Sequence, residues 1–308
     1  MDAALGSIGN PAVPDNNPHR PRPMSWQAYA DELRSKWFAL LATEPEENDV
    51  QAFLELHPAL VPGGSGDIGP GGHHGSDLGA MFRQPRLKGA GRDFGPDFMW
   101  VTRSSSLITP ILIEIEKPSK RWFGADGRPT KNFADAHDQL RDWRDWFTRE
   151  GNSAIFRDQY MILGDRQPVR SLEPQFVLIY GRQFEFELGG GHKDPDSLNL
   201  KRSKLRGPDE TLLTFDSLRP RYDHSSSITV TMKASGPEAF AFSPVYCTGP
   251  HLLDGINRLS GVDAALDRSV MLSEERREYL RQRWMFWGER SAQEQRSSRK
   301  WAHQLGRE

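Results

Sequence analysis

Thr109–Lys117 reads TPILIEIEK, an apolar run that ends in two carboxylates separated by one isoleucine. The run predicts a buried strand over residues 109–116. Because side chains alternate along a strand, Glu114 and Glu116 share one face and Ile115 lies on the other. Two acids on one face repel each other unless they share a cation, and Mg²⁺ prefers carboxylate oxygens. The alternative interpretation is a strand end that emerges into solvent.

A second apolar run lies just upstream. Arg92–Val101 reads RDFGPDFMWV, and we predict a strand that begins at its proline, a residue that suits the start of a strand. The link over residues 102–108 is polar and typical of a turn, so the two strands are expected to form a hairpin. That hairpin places Asp97 beside Glu114 and Glu116. Three converging carboxylates predict a metal site suited to the hydrolysis of phosphodiesters.

The next segment is predicted to be an amphipathic helix. Asn132–Arg149 carries apolar residues at three- and four-residue steps, which indicates one buried face. Gln139 and Trp143, four residues apart, lie at the edge of that face. An ordinary helix with a glutamine of no special role is the alternative.

These segments resemble the PD-(D/E)xK nuclease motif. The order and spacing of that motif are present here: a Pro-Asp pair that ends at Asp97, then sixteen residues, then Glu114-x-Glu116. The last position of the motif, occupied here by Glu116, is usually lysine. Glu116 replaces the lysine, as in some restriction enzymes of this fold. Lys117 has the opposite strand parity, and Lys120 on the following loop is a further candidate for the cation.

A longer series resembles a particular family. Over about residues 45–220, the chain resembles the Shedu family of antiphage defence nucleases. The segments that carry the resemblance are, in order, FLELHPAL, PDF, IEIEKP, QLRDW, VLIYGR and LLTFDSL. Within QLRDW, Gln139 and Trp143 are similar to the Gln-x-x-x-Tyr element of RecB-like nucleases. The resemblance implies an α/β fold, a PD-(D/E)xK nuclease-like mixed sheet flanked by helices, with N- and C-terminal helical extensions. It also implies Mg²⁺ or Mn²⁺ as cofactor, DNA as substrate and a homo-oligomer, dimer or tetramer.

The resemblance assigns roles to individual residues. Catalytic residues are expected to be Asp97, Glu114, Glu116, Lys117 and Gln139. Metal ligands are expected to be Asp97, Glu114, Glu116 and Glu47, because an acid on the N-terminal helix often joins the metal site in this family. The alternative for Glu47 is stabilisation of the positive end of a helix dipole.

Basic and aromatic residues near the motif are candidates for DNA contacts, because cations hold phosphates and aromatic rings stack on unpaired bases. The candidates are Lys120, Arg121, Arg92 and Trp122. Burial of Trp122 under the helix is the competing interpretation. Solvated loop charge is the competing interpretation for Arg92.

Composition sets broader bounds. The 308 residues carry a formal net charge of −2 and 36% hydrophobic residues, so indiscriminate binding of nucleic acid is not indicated. A single cysteine excludes an intramolecular disulfide and fits a cytoplasmic protein. No apolar run approaches ~20 residues, so no membrane association is expected.

We predict three regions along the chain. Residues 1–23 form a disordered Pro-rich tail, residues 24–220 form the nuclease-like domain with its N-terminal helices, and residues 221–308 form a C-terminal strand and helical extension. Within the second region, residues 62–95 are expected to be a Gly-rich loop and residues 155–163 a strand. The predicted function is a metal-dependent nuclease, either an endonuclease or an exonuclease. One alternative is a binding module on the same fold that has lost activity because the usual lysine is missing, and the other is a structural or sensor protein whose acids merely lie at the surface.

Overall fold

The computed structural model describes residues 20–70, 74–161, 170–253 and 255–297. Most of the tail predicted over residues 1–23 therefore lies outside the described residues. The described chain is a mixed α/β structure in which seven α-helices flank one open eight-stranded sheet. The fold class predicted from the sequence is confirmed at this level.

The secondary structure elements alternate along the chain. The strands are β1 Ser76–Arg83, β2 Phe98–Arg103, β3 Leu107–Ile115, β4 Ser171–Leu172, β5 Gln175–Ile179, β6 Glu210–Leu213, β7 Ile228–Lys233 and β8 Gly236–Phe242. The helices are α1 Trp26–Ala42, α2 Glu47–Leu56, α3 Lys131–Thr148, α4 Asn152–Tyr160, α5 Pro195–Ser203, α6 Val262–Arg268 and α7 Glu274–Ser297. None of the described helices combines the length and the apolar character needed to cross a bilayer.

The sheet has the order β6-β5-β3-β2-β1-β7-β8, and β4 pairs with β3 beside this path. Neighbouring strands are antiparallel in the pairs β1–β2, β2–β3 and β7–β8 and parallel in the others. The predicted hairpin is confirmed as β2–β3, with Phe98 opposite Ile113. The sheet continues past residue 220, because β7 pairs with β1.

The two faces of β3 pack against different helices. Ile111 and Ile113 contact the core that contains residues of α1 and α2, whereas Leu112 contacts the core that contains residues of α3, α4, α6 and α7. This is the alternation predicted from the sequence. It directs Glu114 to the α3 face, the same face as Leu112.

The predicted loop over residues 62–95 is partly wrong, because it contains β1. The strand escapes a pattern-based prediction because its pairing with β2 is interrupted between Ser76 and Met81. Leu78 and Gly79 have φ values of 57° and 67° in this interval, so the regular alternation is lost. Glycine adopts this left-handed conformation readily, and other residues do so at a cost.

The strand predicted over residues 155–163 is also wrong as far as the structure describes it. Residues 152–160 form α4, and residues 162–169 lie outside the described part. Phe156 and Tyr160 are buried one helical turn apart, and Phe156 contacts Phe147 of α3 with ring centroids 5.3 Å apart. Ile155, the first residue of the predicted strand, is 40% exposed.

Candidate active site

Asp97 is held at the junction of two strands. Its backbone N–H donates to the carbonyl oxygen of Ile113 at 3.0 Å, and its own carbonyl accepts from Gln84 at 2.7 Å. The backbone N–H of Ile115 donates to Oδ2 of Asp97 at 2.8 Å. The carboxylate is therefore bound to β3 although its residue precedes β2.

Glu114 is a partly buried acid on the same strand. Its Oε2 is buried and has no hydrogen-bond partner among the described residues. Burial raises the pKa of Glu114 well above its usual range, and the charges of Asp97, Glu116 and Glu47 raise this pKa further. The side chain of Gln139 opposes this shift by hydrogen bonding to the carboxylate. The exposed Gln139 of α3 therefore lies beside Glu114.

Burial also raises the pKa of Asp97, to about 7. The N–H of Ile115 opposes the rise, while the charges of Glu47, Glu116 and Glu55 add to it. The loss of hydration on burial is the main physical cause, and repulsion among the neighbouring acids adds to it. The three carboxylates predicted to converge are thus close enough to influence one another.

Glu47 joins this group from the first turn of α2. Burial raises the pKa of Glu47, and the nearby Glu116 raises it further, both by its charge and by a hydrogen bond. Lys120 lowers the same pKa. Asp97, Glu114, Glu116 and Glu47 form what we call the acid cluster.

Two buried polar residues of α2 were not predicted. Gln51 and Glu55 are both nearly inaccessible, and Gln51 Nε2 donates to Glu55 Oε1 at 3.3 Å. Nε of Arg83, at the end of β1, lies 2.7 Å from the same Glu55 oxygen. The signal in the sequence is the spacing of Glu47, Gln51 and Glu55, four residues apart and hence on one helix face.

The two candidate lysines have different partners. The Lys120 ammonium pairs with the carboxylate of Glu116. The Lys117 ammonium pairs instead with Glu46, the N-cap residue of α2. Of the two cations, Lys120 therefore has its partner within the acid cluster.

Trp122, predicted as a residue that stacks on bases, is fully buried, so that role is wrong. Its ring stacks on Phe133 of α3 at 4.7 Å, and its indole N–H donates to the carbonyl of Tyr180 at 2.8 Å. Packing under the helix, the competing interpretation, is confirmed. Arg121 remains exposed and donates to the carbonyl of Gly190. The exposed Arg92 lies over the ring of Phe94, 5.4 Å from its centroid.

The donor set suits a hard divalent cation, because all four members of the acid cluster offer carboxylate oxygens. The unpartnered Oε2 of Glu114 is a buried acceptor that such an ion would satisfy. Within the described ranges, however, no three acidic, histidine or cysteine side chains are arranged to hold an ion as they stand. Binding of one ion by three acids of the cluster therefore requires side chains to rotate.

Comparison with known families identifies the family of the chain. A family model described as the C-terminal part of the Shedu protein SduA matches residues 44–219. The chain belongs to the Shedu family. The match includes every member of the acid cluster and both lysines, and it ends before β7 of this Shedu protein. Membership supports a role in antiviral defence. None of the curated proteins compared with the chain matched it.

Proposed function

We propose that this Shedu protein is a nuclease that hydrolyses DNA phosphodiester bonds with Mg²⁺ or Mn²⁺ in defence against foreign DNA. Asp97 and Glu114 would hold the ion, with Glu116 and Glu47 as further ligands. The observation that carries the proposal is the convergence of two buried acids, Asp97 bound by the Ile115 N–H and Glu114 with an unpartnered Oε2. Burial and neighbouring acids raise the pKa of both. Groups with perturbed pKa values that converge in this way are characteristic of functional sites.

A divalent cation, when bound, lowers the pKa of a coordinated water and neutralises charge that develops on phosphate. The chain supplies the other parts of the mechanism. Asp97 is preorganised by the Ile115 N–H, so its carboxylate needs no further ordering. Lys120, once released from Glu116, places a positive charge where a phosphate can be stabilised. Gln139 orients a water or a phosphate oxygen beside Glu114.

Lys120 is a better candidate than Lys117 for the cation of the motif. Lys120 contacts the acid cluster directly through Glu116, whereas Lys117 contacts the exposed Glu46. In the proposed mechanism, Lys117 serves mainly to join the motif loop to α2. Lys120→Ala is therefore expected to reduce cleavage more than Lys117→Ala.

The test is cleavage of linear, circular and single-stranded DNA by purified protein with Mg²⁺, with Mn²⁺ and with EDTA. Cleavage that requires a divalent cation and is lost in Asp97→Ala supports the proposal. Asp135→Ala is a matched control, because Asp135 is an exposed acid of α3. Full cleavage in Asp97→Ala, or cleavage in EDTA, would contradict the proposed site.

A second candidate function is a DNA-binding or sensor module on the same fold. The observation that favours it is the Lys120–Glu116 ion pair. This pair engages both the lysine proposed for the motif and one of the acids proposed to bind the metal. This candidate predicts DNA binding that is unchanged by EDTA and no cleavage under any condition above. A gel-shift assay run beside the cleavage assay distinguishes the two functions.

A further inference from the structure

The loop that carries Lys120 is bound by a buried carboxylate from another part of the chain. Residues 117–123 follow β3, and we call them the motif loop. The backbone N–H of Trp122 donates to Oε2 of Glu185 at 2.9 Å, and the N–H of Phe123 donates to Oε1 at 2.9 Å. Both oxygens of one side chain are therefore used to hold two consecutive amides of the motif loop.

Glu185 lies in the 3-10 helix Gln183–Phe186 and is only 6% exposed. His192 Nε2 lies 3.1 Å from Oε1 of Glu185, and the guanidinium of Arg121 lies 3.9 Å from the same oxygen. Burying a carboxylate is unfavourable unless hydrogen bonds and charges compensate for lost hydration. Most of the compensation here comes from the N–H groups of Trp122 and Phe123 in the motif loop. The carboxylate and the loop therefore hold each other in place.

The glycine run at residues 189–191 forms a turn that follows Glu185 and lies beside the motif loop. Gly189 and Gly191 both have φ values of 91°, in the left-handed region. A Cβ on Gly190 would lie 2.2 Å from the carbonyl oxygen of Phe184, so no other residue fits without movement. The carbonyl of Gly190 then accepts from Arg121 of the motif loop. The glycine run thus folds tightly beside the motif loop.

These contacts bear directly on Lys120. Trp122 is fixed by its amide on Glu185 and by its indole N–H on Tyr180. Lys120 is two residues away in the same short loop and reaches back to Glu116. Displacement of the loop by 1 Å would move the ammonium by a comparable distance, and errors of that size cost up to about 10²-fold in rate.

We propose that Glu185, supported by His192 and the 189–191 turn, is a positioning residue that holds Lys120 against the acid cluster. The proposal rests on the nuclease function proposed above, in which Lys120 contacts the substrate phosphate. Glu185 itself does not touch the reacting atoms. It acts through the motif loop.

Glu185→Gln tests the proposal, because glutamine keeps the size of the side chain but offers one acceptor oxygen in place of two. We expect kcat for DNA cleavage to fall about ten- to a hundredfold with little change in KM. The double variant Glu185→Gln/Lys120→Ala should be no slower than Lys120→Ala alone, because Glu185 acts only through Lys120 and both changes remove the same function. Glu187→Gln is the matched control, since Glu187 is an exposed acid two residues away. Losses that multiply in the double variant would overturn the proposal.

A second readout does not depend on cleavage. An amine-reactive ester should label Lys120 severalfold faster in Glu185→Gln than in wild type, and at the wild-type rate in Glu187→Gln. If Glu185→Gln fails to fold, His192→Gln serves as the milder variant in the same assays. An inactive wild-type protein would refute the nuclease function, while the labelling rates would still decide the role of Glu185. Unchanged labelling in the folded variants would overturn that role.

Discussion

The backbone N–H of Ile115 donates to Oδ2 of Asp97, so the strand that carries Glu114 also orients the aspartate of the neighbouring strand. The bond exists because the backbone N–H groups of a strand lie in the plane of the sheet and point to the neighbouring segment, where the Asp97 N–H also donates to the Ile113 carbonyl. The Ile115 N–H thereby satisfies one carboxylate oxygen of the acid cluster. The hairpin thus assembles two of the predicted metal ligands without help from a distant segment.

The first prediction concerns pH. Burial raises the pKa of Asp97 from 3.8 to about 7, so the folded metal-free protein retains a proton that the unfolded chain has released. Stability in EDTA should therefore fall as pH rises through 7. The buried imidazoles of His57 and His224 act in the opposite direction below pH 6.5, because their pKa values are lowered to about 4. Between pH 6.5 and 8 the acids dominate.

The measurement is the free energy of unfolding in EDTA at pH 6.5 and 8. Wild type should lose about 1 kcal/mol over this interval through Asp97, and Asp97→Asn should lose less. Asp135→Asn, at an exposed position, should follow the wild type. A wild-type stability that does not fall over this interval would show that Asp97 is not protonated near neutral pH.

The second prediction concerns Glu114. Its buried Oε2 lacks a partner, and burial raises its pKa, so Glu114→Gln should stabilise the metal-free protein above pH 7, with a melting temperature a few degrees higher. The same change should reduce any stabilisation by Mn²⁺, because an anionic ligand is lost. Thermal melts with EDTA and with Mn²⁺ measure both effects. Glu116→Gln is a weaker test, since it leaves Lys120 without its partner. A lower melting temperature for Glu114→Gln in EDTA would count against the electrostatic account.

The third prediction concerns Gln139. Gln139→Ala should lower the rate of DNA cleavage while changing the free energy of unfolding by less than about 0.5 kcal/mol, as expected at an exposed helix position. The reason is that Gln139 lies beside Glu114 and is exposed. Kinetics and a urea melt, with Asp135→Ala as reference, measure the two effects. Equal cleavage rates for both variants would refute a role for Gln139.

The fourth prediction follows from the burial of Trp122. Trp122→Ala should destabilise the protein by about 3–5 kcal/mol, because a large buried ring is lost together with its contact to Phe133. Trp122→Phe should retain much of this stability, since the replacement is still aromatic. Denaturant unfolding distinguishes the variants. A destabilisation below 1 kcal/mol for Trp122→Ala would place the ring at the surface after all.

The parts of the site that were predictable from the sequence are local. The positions of Asp97, Glu114 and Glu116 follow from strand parity and one hairpin, which depend on about twenty consecutive residues. Glu47 required the family resemblance, because α2 is distant in sequence. The helix carrying Gln139 follows from its apolar period.

The parts that were missed depend on tertiary packing. Trp122 is buried by Phe133 and Tyr180, and no periodicity in a short loop reveals that. The partners of Lys117 and Lys120 depend on how the motif loop folds back onto α2 and β3. Glu185 was not predicted, because residues 184–187 read FEFE and nothing in this pattern shows which of its two acids accepts hydrogen bonds from two backbone amides of a distant segment.

The most direct test of the central claim is isothermal titration calorimetry, in which Mn²⁺ is titrated into metal-free protein at pH 7.5. We expect saturable binding by wild type, binding at least tenfold weaker in Asp97→Asn and Glu114→Gln, and unchanged binding in Asp135→Asn. No saturable binding by wild type, or equal binding by all four proteins, would contradict the claim that the acid cluster is one metal site.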